Sequence, residues 1–197
     1  EEVIEAIHLM RQERILADAR DLNAYIKNRK QRKNAMAALT FFCRLEKYLL
    51  SLLSEEEQTY NLKQICEAAA GNGCDDISIN MIKTIFNFWK IEHWAKYSVD
   101  NYRKHVTVSS LKKRAELNRM MDKRQGLAMF IIEYLYDKYE ASPEKGNEEK
   151  EEVLVEFSVL EIKEAFENQI TFFAEKADLA EVEEALHYLS KIEALKL

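Results

Sequence analysis

Apolar positions recur along this chain with a helical period, and one 16-residue arrangement of them occurs three times. It reads VIEAIHLMRQERILAD from Val3, MIKTIFNFWKIEHWAK from Met81 and VEEALHYLSKIEALKL from Val182. Aligned from those starts, apolar residues fall at offsets 0, 4 and 7: Val3, Ile7 and Met10; Met81, Ile85 and Phe88; Val182, Leu186 and Leu189. That spacing puts side chains on one face of an α-helix. A second apolar pair follows at offsets 10 and 13 in the later copies, Ile91 with Trp94 and Ile192 with Leu195. It suits a short strand that turns back onto the helix.

Other elements fall into place around the copies. From 35 to 53, Met36, Leu39, Phe42, Leu45, Leu49 and Leu52 keep the helical period. SEEEQ interrupts it, and TYNLKQICEAAAGNGC predicts a brief strand, a short helix and a Gly-Asn-Gly turn. Ser78 is a suitable N-cap for the helix of the second copy. After that helix, KYSVDNYRKHVTVSS alternates on either side of an Asp-Asn turn, which predicts a β-hairpin. Helix, strand, helix, helix, hairpin is the order of a winged helix-turn-helix, here complete over 34–110.

A second such unit is expected over 111–197. Its first helix covers 122–139, with Leu127, Phe130, Ile131, Tyr134 and Leu135 on the buried side. The charged stretch ASPEKGNEEKEE is a loop, VLVEFS a strand, VLEIKEAFEN a helix, and the third copy follows. The chain stops where the hairpin is due, so the wing of this module is expected to be truncated. Residues 1–33 are read as the end of a preceding winged-helix-like unit, cut from a larger protein, plus a basic linker with Lys27, Arg29, Lys30, Arg32 and Lys33. The linker is either solvated or a strap against phosphates. The expected fold class is mostly α: tandem winged-helix modules with small β-hairpin wings.

Composition agrees with long helices, since the chain holds four glycines and one proline. The three cysteines are unclustered and suggest a reducing, cytoplasmic setting with no disulfides. No apolar run reaches the roughly 20 residues that span a bilayer, so no membrane partner is expected. The net charge of −6 is unevenly spread. Residues 80–124 carry 11 basic and 4 acidic groups, a net of +7, whereas residues 125–197 carry 7 and 18, a net of −11. Because salt screens charge beyond about 10 Å at 0.1 M, the local balance decides what a phosphate backbone meets. DNA is therefore expected along 80–124, and a protein partner is the alternative for the acidic module at 125–197.

No catalytic residue and no metal site is expected, for the chain lacks a phosphate loop, a G-x-G-x-x-G turn and an H-E-x-x-H pair. Cys66 and Cys74 have no His or Cys partner at ligand spacing, and His8 and His187 read as helix-surface residues. Lys83, Asn87 and Lys90 are spaced four and three, forming one polar stripe on the helix of the second copy. Lysines there can meet phosphates and Asn87 a base edge or sugar. The hairpin adds Lys96, Arg103 and Lys104, followed by Lys112, Lys113 and Arg114. Trp89 and Trp94 could stack on unpaired bases, but their offsets put them in the core.

The runs NLKQICEAA, INMIKTIFNFWKIEHWAK, EEVLVEFSVLEIKEAF and VEEALHYLSKIEALKL resemble the region that follows the motor domains in a bacterial group of RecQ-type superfamily 2 ATP-dependent DNA helicases. The resemblance covers most of the chain but rests on helical segments. It implies a parent enzyme of DNA repair or recombination that hydrolyses ATP with Mg²⁺, and an accessory role for this region beside an intramolecular motor. The motifs that bind ATP and Mg²⁺ are missing from this sequence, so it implies no cofactor here, and the four-cysteine zinc subdomain of other RecQ enzymes is also missing. A non-catalytic region that positions duplex or forked DNA is therefore expected. The rival expectation is a tandem winged-helix scaffold that binds protein in a chromosome-organisation or transcription assembly.

Overall fold

The computed structural model describes residues 22–143, 152–169 and 176–197. The first copy of the repeat, with His8, and most of the charged loop lie outside the described residues. In chain order the elements are β1 (Leu22–Ile26), α1 (Lys30–Leu52), β2 (Gln58–Asn61), α2 (Leu62–Ala70), α3 (Ile79–Ile91), β3 (Ala95–Asp100), β4 (His105–Ser110), α4 (Arg114–Ala141), β5 (Val153–Phe157), α5 (Val159–Gln169) and α6 (Leu179–Lys191). The described chain is mostly α, with two small antiparallel sheets. It divides into a central unit, 40–122, and a split unit whose described residues come from 22–39 and from 123 onward. Those limits differ from the spans 1–33, 34–110 and 111–197 read from the sequence. Helices α1 and α4 each contribute to both units.

In the central unit, α2 starts where the Asn61 side chain accepts the amide hydrogens of Lys63 (2.9 Å) and Gln64 (3.4 Å). Helix α3 starts at Ser78, whose Oγ accepts from Met81 N at 3.2 Å. Its stripe buries Ile82, Ile85, Phe86, Phe88 and Trp89. The expected hairpin is β3 with β4, and β2 joins on the far side of β4 to give the order β2-β4-β3. Tyr97, Val106 and Val108 face the core, while Lys96 and Ser98 face outward, as a two-residue period requires. Trp89 and Trp94 are fully buried and stacked, ring centroids 6.4 Å apart. Each such ring contributes on the order of 2–3 kcal/mol by leaving water. The Glu46 carboxylate of α1 is 0% exposed and accepts from Trp89 Nε1 at 2.6 Å, which satisfies the indole donor inside the core.

In the split unit, β1 and β5 pair antiparallel from Leu22 opposite Phe157 to Ile26 opposite Val153. Ala24, Ile26, Val153, Val155 and Phe157 point inward, while Tyr25 and Leu154, directly opposite each other, stay exposed. The stretch read as a linker is thus a strand followed by the start of α1. Its five residues are too short to show a period, and β5, more than a hundred positions away, supplies the ladder. Asn28 Oδ1 accepts from Lys30 N at 3.0 Å, so α1 begins within the basic run. Arg32 pairs with Glu133 and Arg29 lies 3.9 Å from Glu140, which neutralises part of that run on α4. Helix α4 begins before the expected position 122 because Leu117 and Met121 are already buried in the central unit. Beyond α6, Lys196 O accepts from Tyr25 N at 2.9 Å, so the last residues lie along the open edge of β1.

The structure also corrects the alignment of the repeat. N-caps Ser78 and Asp178, buried sets 82, 85, 86, 88, 89 and 182, 185, 186, 188, 189, and left-handed residues His93 and Glu193 all correspond with a shift of 100. Starts at Met81 and Val182 imply 101. An apolar stripe more than one residue wide tolerates that slip, because Met81 is half-buried and Ile82 is the true equivalent of Val182.

Candidate nucleic-acid interface

The outward side of α3 and the tip of the β3–β4 hairpin come together in the central unit. On α3, Asn87 and Lys90 are exposed and Lys83 is half-buried. Lys83 Nζ donates to Asn101 Oδ1 at 2.7 Å, tying the helix to the hairpin turn. Inside the turn, Asp100 Oδ1 accepts the amide hydrogens of Tyr102 and Arg103, both at 3.0 Å. The Arg103 Nε lies 3.8 Å from Asp100 Oδ2. These amides, the Arg103 one foremost, and the positive charges of Arg103 and His105 hold the Asp100 carboxyl below the usual range. Lys104 takes a left-handed backbone, φ +57°, and its carbonyl accepts from Leu62 N at 2.8 Å. The tip is therefore fastened both to α3 and to the start of α2.

Tyr102 stands at the end of this turn, 95% exposed, between Asn101 and Arg103. Lys96 lies on the outer face of the sheet, opposite Ser109. Lys90, Lys96, Lys104 and Lys113 form no ion pair within the described residues. Lys112 and Arg114 are drawn into the protein's own contacts. Lys112 Nζ lies 2.9 Å from Glu116 Oε1, and Arg114 Nη2 donates to Leu53 O at 3.0 Å and Ser51 O at 3.4 Å, closing the open carbonyls at the end of α1. Two further cations of the basic segment belong to the split unit. Lys123 pairs with Glu181 at 2.6 Å, and Arg124 lies 3.9 Å from Glu184 with its guanidinium over the Tyr188 ring. Of the candidate cations in the central unit, Lys112 and Arg114 are thus engaged internally, while those of α3, Lys96, the hairpin tip and Lys113 remain at the surface.

No family model, curated protein or solved structure matches the chain. The chemistry of this surface rests on its own residues: ammonium and guanidinium groups, the two amides of Asn87 and Asn101, and one exposed phenol ring. Reading the sequence missed Asn101 and Tyr102. The Asp-Asn turn signalled where the tip lies, but nothing local showed that Lys83, eighteen positions earlier, reaches Asn101. The described residues contain no group of three His, Cys, Asp or Glu able to hold a metal, and Cys43, Cys66 and Cys74 are free thiols. No helix among them is long and apolar enough to cross a membrane.

Proposed function

We propose that residues 40–122 act as a winged-helix module that binds DNA without sequence readout, as a non-catalytic accessory region of a RecQ-like, ATP-dependent helicase. The observation that carries this reading is the joining of Lys83 on α3 to the hairpin tip, which ties the helix carrying Lys83, Asn87 and Lys90 to the turn carrying Arg103, Lys104 and the exposed Tyr102. Cations on two elements can neutralise phosphates, an amide can meet a base edge or sugar, and a phenol ring can stack on a base. The order helix, strand, helix, helix, hairpin, with β2 completing the sheet, supports the winged-helix reading. In the parent protein the motor would supply ATP and Mg²⁺ chemistry, and this region would hold duplex or forked DNA against it.

Fluorescence anisotropy of the chain with labelled duplex and forked DNA, at 50 and at 200 mM salt, tests the proposal. Binding that falls about tenfold or more over that range is the expected result for several phosphate contacts. Absence of binding at 50 mM salt would overturn it. A second reading, docking of a protein on the split unit, has one observation in its favour: Tyr25 and Leu154 form an exposed apolar pair on the outer face of the β1–β5 sheet.

A further inference from the structure

We propose that Asn101 is a positioning residue: by holding Lys83, it makes α3 and the hairpin tip one rigid surface, and so makes the surface selective for double-stranded over single-stranded DNA. This inference rests on the DNA-binding reading of the same site and adds to it the substrate class and the residue that sets it.

The argument begins with what an unattached hairpin tip would do. Four residues join β3 to β4, and a lysine side chain carries about 2 kcal/mol of rotamer entropy when free. Left to themselves, Lys83, Arg103 and Lys104 would be three separate mobile cations, and ordering them would cost affinity on every target alike. Three contacts reduce that freedom before any ligand arrives: two fix the backbone that carries Arg103 and Lys104, and the third holds the Lys83 side chain. The Asp100 carboxylate fixes the turn through the Tyr102 and Arg103 amides. The Lys104 carbonyl is held by Leu62 N at the start of α2. The Asn101 amide oxygen accepts from Lys83 Nζ at 2.7 Å, a hydrogen bond that joins α3 to the tip.

Asn101 suits that position for a chemical reason. Its side-chain oxygen accepts from an ammonium without cancelling the charge, so two of the three Lys83 donors remain for a phosphate. An aspartate there would order the lysine equally well but would neutralise it. Phosphates of a duplex are held at set spacings across its grooves, so a surface with its cations already at set spacings loses little on docking. A single strand can wrap onto cations wherever they are, and gains less from having them fixed. The lock therefore favours the duplex.

The test compares wild type with Asn101→Ala, Lys83→Ala and the double variant. Anisotropy is read on a 20-base-pair duplex and on a single strand of the same length, as probes of roughly two helical turns. Asn101→Ala is expected to weaken duplex binding about three- to fivefold, in line with one released side chain, and single-strand binding by less than about twofold. It removes no charge, so the slope of affinity against salt stays as in wild type, whereas Lys83→Ala lowers that slope by about one contact. The double variant should bind the duplex no worse than Lys83→Ala alone, because the lock has nothing left to hold. Additive losses in the double variant, or equal losses on both probes, would overturn the inference while leaving the DNA-binding reading in place. Failure of the wild type to bind either probe at 50 mM salt would overturn both. Thermal unfolding of Asn101→Ala should match wild type, and a lowered midpoint would make the residue structural and overturn the positioning role.

Discussion

Helices α3 and α6 are the same element built twice, and they differ where it matters for a partner. Both are thirteen residues long, both start at a side-chain cap, and both bury the residues at the same five positions. Their outward positions have diverged. Lys83, Asn87 and Lys90 on α3 correspond to Glu183, His187 and Ser190 on α6. Each unit also buries one charged side chain from its leading helix against this element, with opposite sign. In the central unit Glu46 accepts from the Trp89 indole, and in the split unit Arg124 stacks on the Tyr188 ring beside Glu184. Burial and caps define the skeleton, and the outward positions are left free to acquire different chemistry. The outward stripe is therefore basic in the central unit, whereas its counterpart carries one glutamate and no lysine at the matching positions.

The sharpest way to break the comparison is to remove its buried charges. Arg124→Ala should destabilise the split unit by about 3 kcal/mol, because it strips a 3%-exposed guanidinium from the Tyr188 ring and removes the cation 3.9 Å from Glu184. Chemical denaturation reads the loss, and an unchanged midpoint would show that the stacking contributes nothing. Arg124→Lys should recover little, since an ammonium cannot reproduce a planar stack.

Next in size is the difference between the two outward faces. Lys83→Glu combined with Lys90→Glu and Arg103→Glu should reduce duplex affinity about a hundredfold at low salt, since three attractive sites become repulsive. Lys191→Glu on α6, also a charge reversal, should change it by less than about twofold. A loss of about fivefold in Lys191→Glu, the one-third share of that hundredfold on a logarithmic scale, would mean that net charge alone governs binding and that the two helices are equivalent.

A smaller effect concerns the hairpin tip, which in the described residues of the split unit has no counterpart. The folded-state pKa of Asp100 is lowered, so its contribution is fully present above its unfolded value and is lost as pH falls through the folded one. Acidification from about pH 5 towards pH 2 should therefore lower the protection of the Tyr102 and Arg103 amides, relative to the intrinsic exchange rate at each pH, before the core opens. Exchange there that tracks global unfolding would show that the carboxylate does not hold the turn. Last comes Lys112→Ala, which removes a partly exposed pair with Glu116 and should cost no more than about 0.5 kcal/mol.

Much of this molecule could be read along the chain. The stripes over 35–53 and 79–91, the Ser78 cap, the alternation around the Asp-Asn turn and the burial of Trp89 and Trp94 are all local consequences of period and turn chemistry. Lys83, Asn87 and Lys90 share one side of a helix for the same reason. The one-residue error in aligning the copies has a local origin too: Met81 is apolar yet half-buried, so it imitates the stripe without belonging to it.

Pairings between distant segments decided the rest. The strand at Leu22–Ile26 exists because Val153–Phe157 supplies its ladder, and no local pattern distinguishes five such residues from a linker. The basic run after it loses part of its charge to Glu133 and Glu140, and Arg114 leaves the candidate surface for carbonyls at the end of α1. Charge counted along the sequence measures how many cations a segment owns. Which of them still face solvent depends on carboxylates and carbonyls brought near by folding, because a hydrogen bond acts over about 3 Å and sequence distance has no bearing on it. By itself, then, the sequence determined the helices, the hairpin and the polar stripe of α3. The tertiary structure alone decided that Lys83 and Asn101 meet, and that contact is what makes a stripe and a turn one surface.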